Sequence, residues 1–165
     1  MMTEPHDLPF DDPIDDLVDI AEAEGWPVER INDCELRVQI KAGWGVYEVS
    51  LIWFEAVNCL AMAAAMDVDL TRADDPTISE LLRGINERMW IGHFDLFAEQ
   101  ARPVFRNSLL LAGTEGATTA QLNAFIDHGI EESERMYPAF VGVAHRGVTV
   151  ESALSHAMLE TVGEA

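Results

Sequence analysis

The chain has 165 residues, enough for one domain with a sizeable core. Thirty acids face ten bases, Lys41 is the only lysine, and the net charge is −20. Proteins grip a phosphate backbone or an anionic bilayer through clustered Lys and Arg, so neither nucleic acid nor membrane is an expected partner; a basic or amphipathic polypeptide suits this charge better.

The opening MMTEPHDLPFDD lacks a basic n-region and an apolar h-region. No secretory leader is expected, and residues 1–11 are expected to form a flexible N-terminus. Cys34 and Cys59 form no C-x-x-C pair and no zinc-like spacing. Both lie among apolar neighbours, where a thiol acts as a small hydrophobe, so a reduced, cytoplasmic setting fits.

DDPIDDLVDIAEAEG predicts the first helix. Asp12 can cap it, Pro13 suits its first position and Gly25 can end it. Ile14, Leu17, Val18 and Ala21 share one face. Asp11, Asp12, Asp15, Asp16 and Asp19 are numerous enough to suggest calcium, but the turn glycine and distal Glu of a calcium loop are missing. Capping and the helix dipole explain these acids.

Val28–Ile31 reads as a short strand and Asn32-Asp33 as a turn. In CELRVQIK, Cys34, Leu36, Val38 and Ile40 alternate with Glu35, Arg37, Gln39 and Lys41, the pattern of a half-buried antiparallel strand. Ala42-Gly43 turns the chain into a strand from about Trp44 to Phe54, with Tyr47, Val49, Leu51 and Trp53 on one face.

LIWFEAVNCLAMAAAM is the least polar stretch. A membrane span needs about 20 predominantly apolar residues, and Glu55 and Asn58 interrupt this one. Glu-Ala-Val-Asn reads as a turn, with a strand from Cys59 to Val68 after it. Leu60, Met62, Ala64, Met66 and Val68 share one face of that strand, and Cys59, Ala61, Ala63 and Ala65 the other. The alanine run also admits a helical reading.

The second helix opens at Asp75-Pro76-Thr77, with Thr77 to Glu80 as a capping box. Ile78, Leu81, Leu82, Ile85 and Met89 make its stripe, and Gly92 is its expected end. Strands follow at His93–Glu99 and Val104–Ala112, around an Ala101-Arg102-Pro103 turn. The third helix begins near Thr118 or Thr119 and carries Leu122, Phe125, Ile126, Ile130 and Tyr137 in period; Pro138 predicts a kink or break near Tyr137. A last helix starts at Thr149, with Val150, Ala153, Leu154, Ala157, Met158 and Val162 facing inward. The order predicts an α+β fold, a mostly antiparallel sheet with flanking helices, in a single domain over residues 12–165.

No phosphate loop, nucleophile elbow or H-E-x-x-H motif is present. The nearest thing to a catalytic constellation is HFDLFAE, where alternation puts His93, Asp95 and Glu99 on one strand face around Phe97. A small-ligand sensor or enzyme would use those three; a solvated strand face explains them more simply. Arg102 and Arg106 could hold an acidic ligand there, or balance local acids. No catalytic residue, cofactor or metal site is expected.

A sheet with Val46, Ile52 and Phe54 on its second face needs cover on both sides, which gives a homodimer a physical motive. Ile85, Met89, Trp90, Phe94 and Phe97 are the candidate contacts with a second copy or another polypeptide.

NERMWIGHFDLFAEQARPVFRNSLLLAG, ERMYPAFVGV and the ending AMLETVGEA together resemble the YbjN-type proteins, described as "putative bacterial sensory transduction regulators". The resemblance runs from about Asp12 to the C-terminus. It implies a fold like that of type III secretion chaperones, which are small, acidic, dimeric α+β proteins, with the helix after Thr149 as an addition. It implies no catalytic residues. The expected function is therefore a non-enzymatic protein-binding module, chaperone-like or a regulatory adaptor.

Overall fold

The structure, a computed structural model, describes residues 12–97 and 99–159. The expected flexible segment 1–11 and Val162 lie outside the described residues. Helix α1 (Pro13–Ala23) leads into strands β1 (Val28–Asn32), β2 (Glu35–Lys41), β3 (Val46–Phe54) and β4 (Cys59–Ala65). Helix α2 (Asp75–Asn86), strands β5 (His93–Phe97) and β6 (Arg102–Leu110), and helices α3 (Thr119–His145) and α4 (Val150–Leu159) follow in the described residues. The fold is α+β: a six-stranded antiparallel sheet in the order β1-β2-β3-β4-β6-β5, with four helices.

The local reasons match the residues. Asp12 accepts the Ile14 N–H at 2.9 Å and starts α1, with Pro13 just inside. Glu55–Val57 forms a single 3-10 turn closed by Asn58 in the left-handed region, so the apolar stretch is two strands around a turn. In β2, Leu36, Val38 and Ile40 are buried while Arg37, Gln39 and Lys41 are exposed, as strand alternation requires.

Two helix features depart from expectation. The cap of α2 is Asp74, whose Oδ1 accepts the Thr77 N–H at 2.8 Å; Thr77 lies inside the helix, so the Thr77–Glu80 box does not start it. Helix α3 runs unbroken through Pro138. The proline forfeits one hydrogen bond, but Ala139, Phe140 and Val143 continue the buried stripe beyond it. At its start, Thr118 and Gln121 form a reciprocal capping box.

The core lies on one face of the sheet. Leu36, Val38, Ile40, Tyr47, Val49, Leu51, Trp53, Leu60 and Met62 are buried there beneath α1 and α3. Phe94 of β5 and Phe105 of β6 meet edge-on at 5.4 Å, and Phe94 also meets Phe140 of α3. Helix α4 packs on α3 and α2. Gly84 of α2 admits it, since a Cβ there would lie 2.4 Å from Leu154 Cδ1.

Candidate interaction surface

Among the described residues, no helix lies on the other face of the sheet. The strand registers fix what it shows. One cross-strand row is Phe54, Cys59 and Leu110; the next is Ile52, Ala61 and Ser108. Then come Arg37, Ser50, Ala63, Arg106 and His93, followed by Gln39, Glu48, Ala65, Val104 and Asp95. One end is thus apolar and the rest polar. Phe54 and Leu110 are exposed, Leu110 to 72 %. Single exposed apolar residues are ordinary; here two of them, Phe54 and Leu110, flank the buried Cys59 in one cross-strand row and make a small apolar patch.

The three arginines on this face each pair with an acid of the same face. Arg102 reaches across β4 to Glu48, with Nη1 2.7 Å from Oε2, and its Nε donates to the Met66 carbonyl. Arg106 lies 3.4 Å from Asp95 and over the Phe97 ring, 5.7 Å from its centre. Each arginine therefore balances a neighbouring acid. His93 is exposed and opposite Arg106, Asp95 also accepts the Leu96 N–H at 2.8 Å, and Glu99 is exposed in a turn, outside the strand. The strand ends at Phe97, so His93, Asp95 and Glu99 do not share the single strand face that alternation suggested. Among the described residues, no three His, Cys, Asp or Glu side chains are grouped to hold a metal ion.

A second feature projects at the end of α2. Asn86 clamps Phe94 by both main-chain groups: its Nδ2 donates to the Phe94 carbonyl at 2.9 Å and its Oδ1 accepts the Phe94 N–H at 2.8 Å. The intervening loop turns at Gly92, which has φ +71°. A Cβ on Gly92 would lie 2.3 Å from Phe105 Cζ and 2.8 Å from the Arg106 carbonyl oxygen, so only glycine fits. His128 Nε2 sits 3.4 Å from the Ile91 carbonyl. Within this fixed loop, Trp90 is 100 % exposed and Ile91 is exposed beside it.

The candidate contact residues separate accordingly. Ile85 and Phe94 are core residues, and Met89 is partly buried against the core. Phe97 is half-buried on the helix-free face, under Arg106. Trp90 alone of the five is fully presented. Sequence reasoning singled out neither Leu110 nor Ile91; their exposure follows from sheet order and loop geometry, which no periodicity reports.

Elsewhere, a cleft of about 810 Å³ lies between α2 and α4. Glu80, Arg83, Glu87 and Leu154 line it with Met158, and His93, Asp95 and Glu99 do not. Among the described residues, no helix is long and apolar enough to cross a membrane.

Comparison with known proteins adds a family and a fold. The YbjN family, whose description reads "Putative bacterial sensory transduction regulator", matches residues 13–141. Among solved structures, the chain is similar to that of YbjN from E. coli, described as "a putative transcription regulator". The TM-score is 0.50 at 19 % identity, over 72 % of this chain and 84 % of that one, a likeness of fold. No curated protein matches the chain.

Proposed function

Because the chain belongs to the YbjN family, we propose that it is a non-enzymatic regulatory module of the cytoplasm that acts by holding another polypeptide, as an adaptor or a chaperone-like protein. The observation that carries this reading is Trp90. A fully exposed tryptophan on a fixed loop, next to exposed Ile91, is an unusual placement for a large apolar side chain. Tryptophan is among the residues most enriched where binding energy concentrates. The Asn86–Phe94 clamp and Gly92 hold the loop in advance, which lowers the ordering cost of binding. The net charge of −20 favours a basic or amphipathic partner segment whose apolar side chains cover Trp90.

The test is a tagged pull-down from the soluble lysate of the native host, read by mass spectrometry, with Trp90→Asp alongside. A near-stoichiometric polypeptide held by the wild type and lost from the folded variant is the expected result. Equal capture by both, or no capture even after chemical cross-linking, would remove the reading.

A further inference from the structure

We propose that the helix-free face of the sheet is the surface on which two copies of this chain pack, sheet against sheet. The inference is independent of Trp90, which lies outside this face.

The argument begins with charge. The strand residues on this face include four acids, Glu29, Glu35, Glu48 and Asp95, and four bases, Arg37, Lys41, Arg102 and Arg106. They cancel. The remaining 26 acids and six bases of the sequence carry the whole net charge of −20. Two copies therefore repel over most of their surface, and this neutral face is where they can approach.

The face also matches itself. A two-fold axis lying along β4 places β3 of one copy over β6 of the other, and β2 over the other's β5. From the registers, Phe54 then stands over Leu110, apolar on apolar. Glu48 stands over Val104, between Arg102 and Arg106. Gln39 stands over Asp95, so Arg37 and Lys41 flank that acid. Along the axis, Ala63 meets its own copy, and its small side chain lets the sheets close to the spacing of roughly 10 Å that stacked sheets adopt.

The size is at the low end of what specific interfaces use. The five strands from β2 to β5 hold 37 residues; at a spacing of about 4.8 Å and a rise of about 3.3 Å per residue they present roughly 590 Å² of flat area per copy. Specific interfaces start at about 600 Å² per partner and centre on about 800 Å². A monomer would leave Phe54 and Leu110 in water.

The test is sedimentation equilibrium of the full chain from about 1 to 100 μM in physiological salt. The wild type is expected at twice its chain mass of 18.3 kDa. Ala63→Arg, which sets two guanidinium groups against each other on the axis, is expected to sediment as a monomer with an unchanged circular dichroism spectrum. Leu110→Lys, at a position too exposed to matter for folding, is expected to weaken the dimer at least tenfold and serves if Ala63→Arg does not fold. Trp90→Asp is expected to leave the dimer intact, which separates this inference from the polypeptide-binding one. A monomeric wild type at 100 μM, or a dimer that survives Leu110→Lys unweakened, would overturn the proposal. So would a monomer whose Ala63→Arg form loses a captured polypeptide, since the face would then serve a different partner.

Discussion

Tyr47, buried near the start of β3, donates its hydroxyl hydrogen to Glu134 of α3, and the same carboxylate oxygen accepts the Trp44 main-chain N–H at 3.1 Å. Glu134 thereby ties the β2–β3 turn to the longest helix. Gly43 makes room for it, since a Cβ there would lie 2.7 Å from Glu134 Oε2. Trp44 stacks on Tyr137 at 5.8 Å and closes the group from outside. Replacing Tyr47 with Phe removes one hydrogen bond to a charged group and little packing. The expected loss is about 1.5–3 kcal/mol, read from urea denaturation at pH 7 with an unchanged m-value.

The same group makes the protein sensitive to alkali. Burial first, then the hydrogen bond and the negative charge of Glu134, push the Tyr47 hydroxyl well above its ordinary value. Burial, with Asp67 and Glu134 nearby, also raises Tyr137. In the unfolded chain both phenols ionise near pH 10, while the folded protein keeps them protonated further up. The unfolded state then binds fewer protons, so stability falls as pH rises above about 10. Below that, their contribution is fully present. The melting temperature is expected to drop more steeply between about pH 9.5 and 11 in the wild type than in Tyr47→Phe.

Gly92 is the backbone position least open to change. It combines a left-handed conformation with a close approach to Phe105 and to the Arg106 main chain. Alanine there carries the left-handed cost and an overlap with backbone that cannot move aside. The two effects together are expected to cost roughly 2–4 kcal/mol. Gly25 also has φ +71°, but a Cβ there meets nothing within 4 Å. Gly25→Ala should therefore cost only the conformational part. Equal losses in the two variants would refute the packing argument.

Sequence reading succeeded where one period dominated. Leu36, Val38 and Ile40 alternate with charged residues, and Ile14, Leu17 and Ala21 recur at helical spacing, so β2 and α1 could be placed almost to the residue. Pro138 does not break α3: its local penalty is visible in sequence, whereas the packing of Ala139, Phe140 and Val143 that carries the helix past it is tertiary. The α2 cap misled because Asp74 and Thr77 both begin acceptable signatures, and only geometry chooses. For the interaction surface, the apolar side of β3 was evident, but which face the helices would cover was not. Trp90 stood among the five candidate contacts, with nothing in periodicity to separate it from Ile85 and Phe94, which are core. The useful signal was its place between the end of the Ile78–Leu81–Ile85 stripe and a turn glycine, outside any buried period.

The cap of α2 can be settled by paired substitutions. The Thr77 N–H, hydrogen-bonded to it, holds the Asp74 carboxyl below its ordinary value. Its contribution to stability is therefore present above the ordinary aspartate range and lost as pH falls through the lowered value. Asp74→Ala is expected to lower the melting temperature at pH 7, with the difference from wild type vanishing in strong acid. Thr77→Ala is expected to have the smaller effect, because it keeps the main-chain N–H bond and removes only the lesser contribution of the Thr77 hydroxyl. The reverse order would return the cap to Thr77.

Ile85 and Trp90 lie five residues apart and test opposite things. Ile85 is buried in the core, and truncation to alanine removes packed methylenes and leaves a cavity. The expected loss is about 2–5 kcal/mol, whatever partner is present. Trp90 touches solvent over its whole surface, so Trp90→Ala is expected to change stability by less than about 0.5 kcal/mol. If Trp90 anchors a bound polypeptide, its truncation should nevertheless weaken that complex by about 2 kcal/mol or more, roughly thirtyfold in affinity. Denaturation of both variants, followed by titration of the captured partner, distinguishes the two roles. A large stability loss on Trp90→Ala would mean the loop packs onto the core, and the binding role of that residue would fall with it.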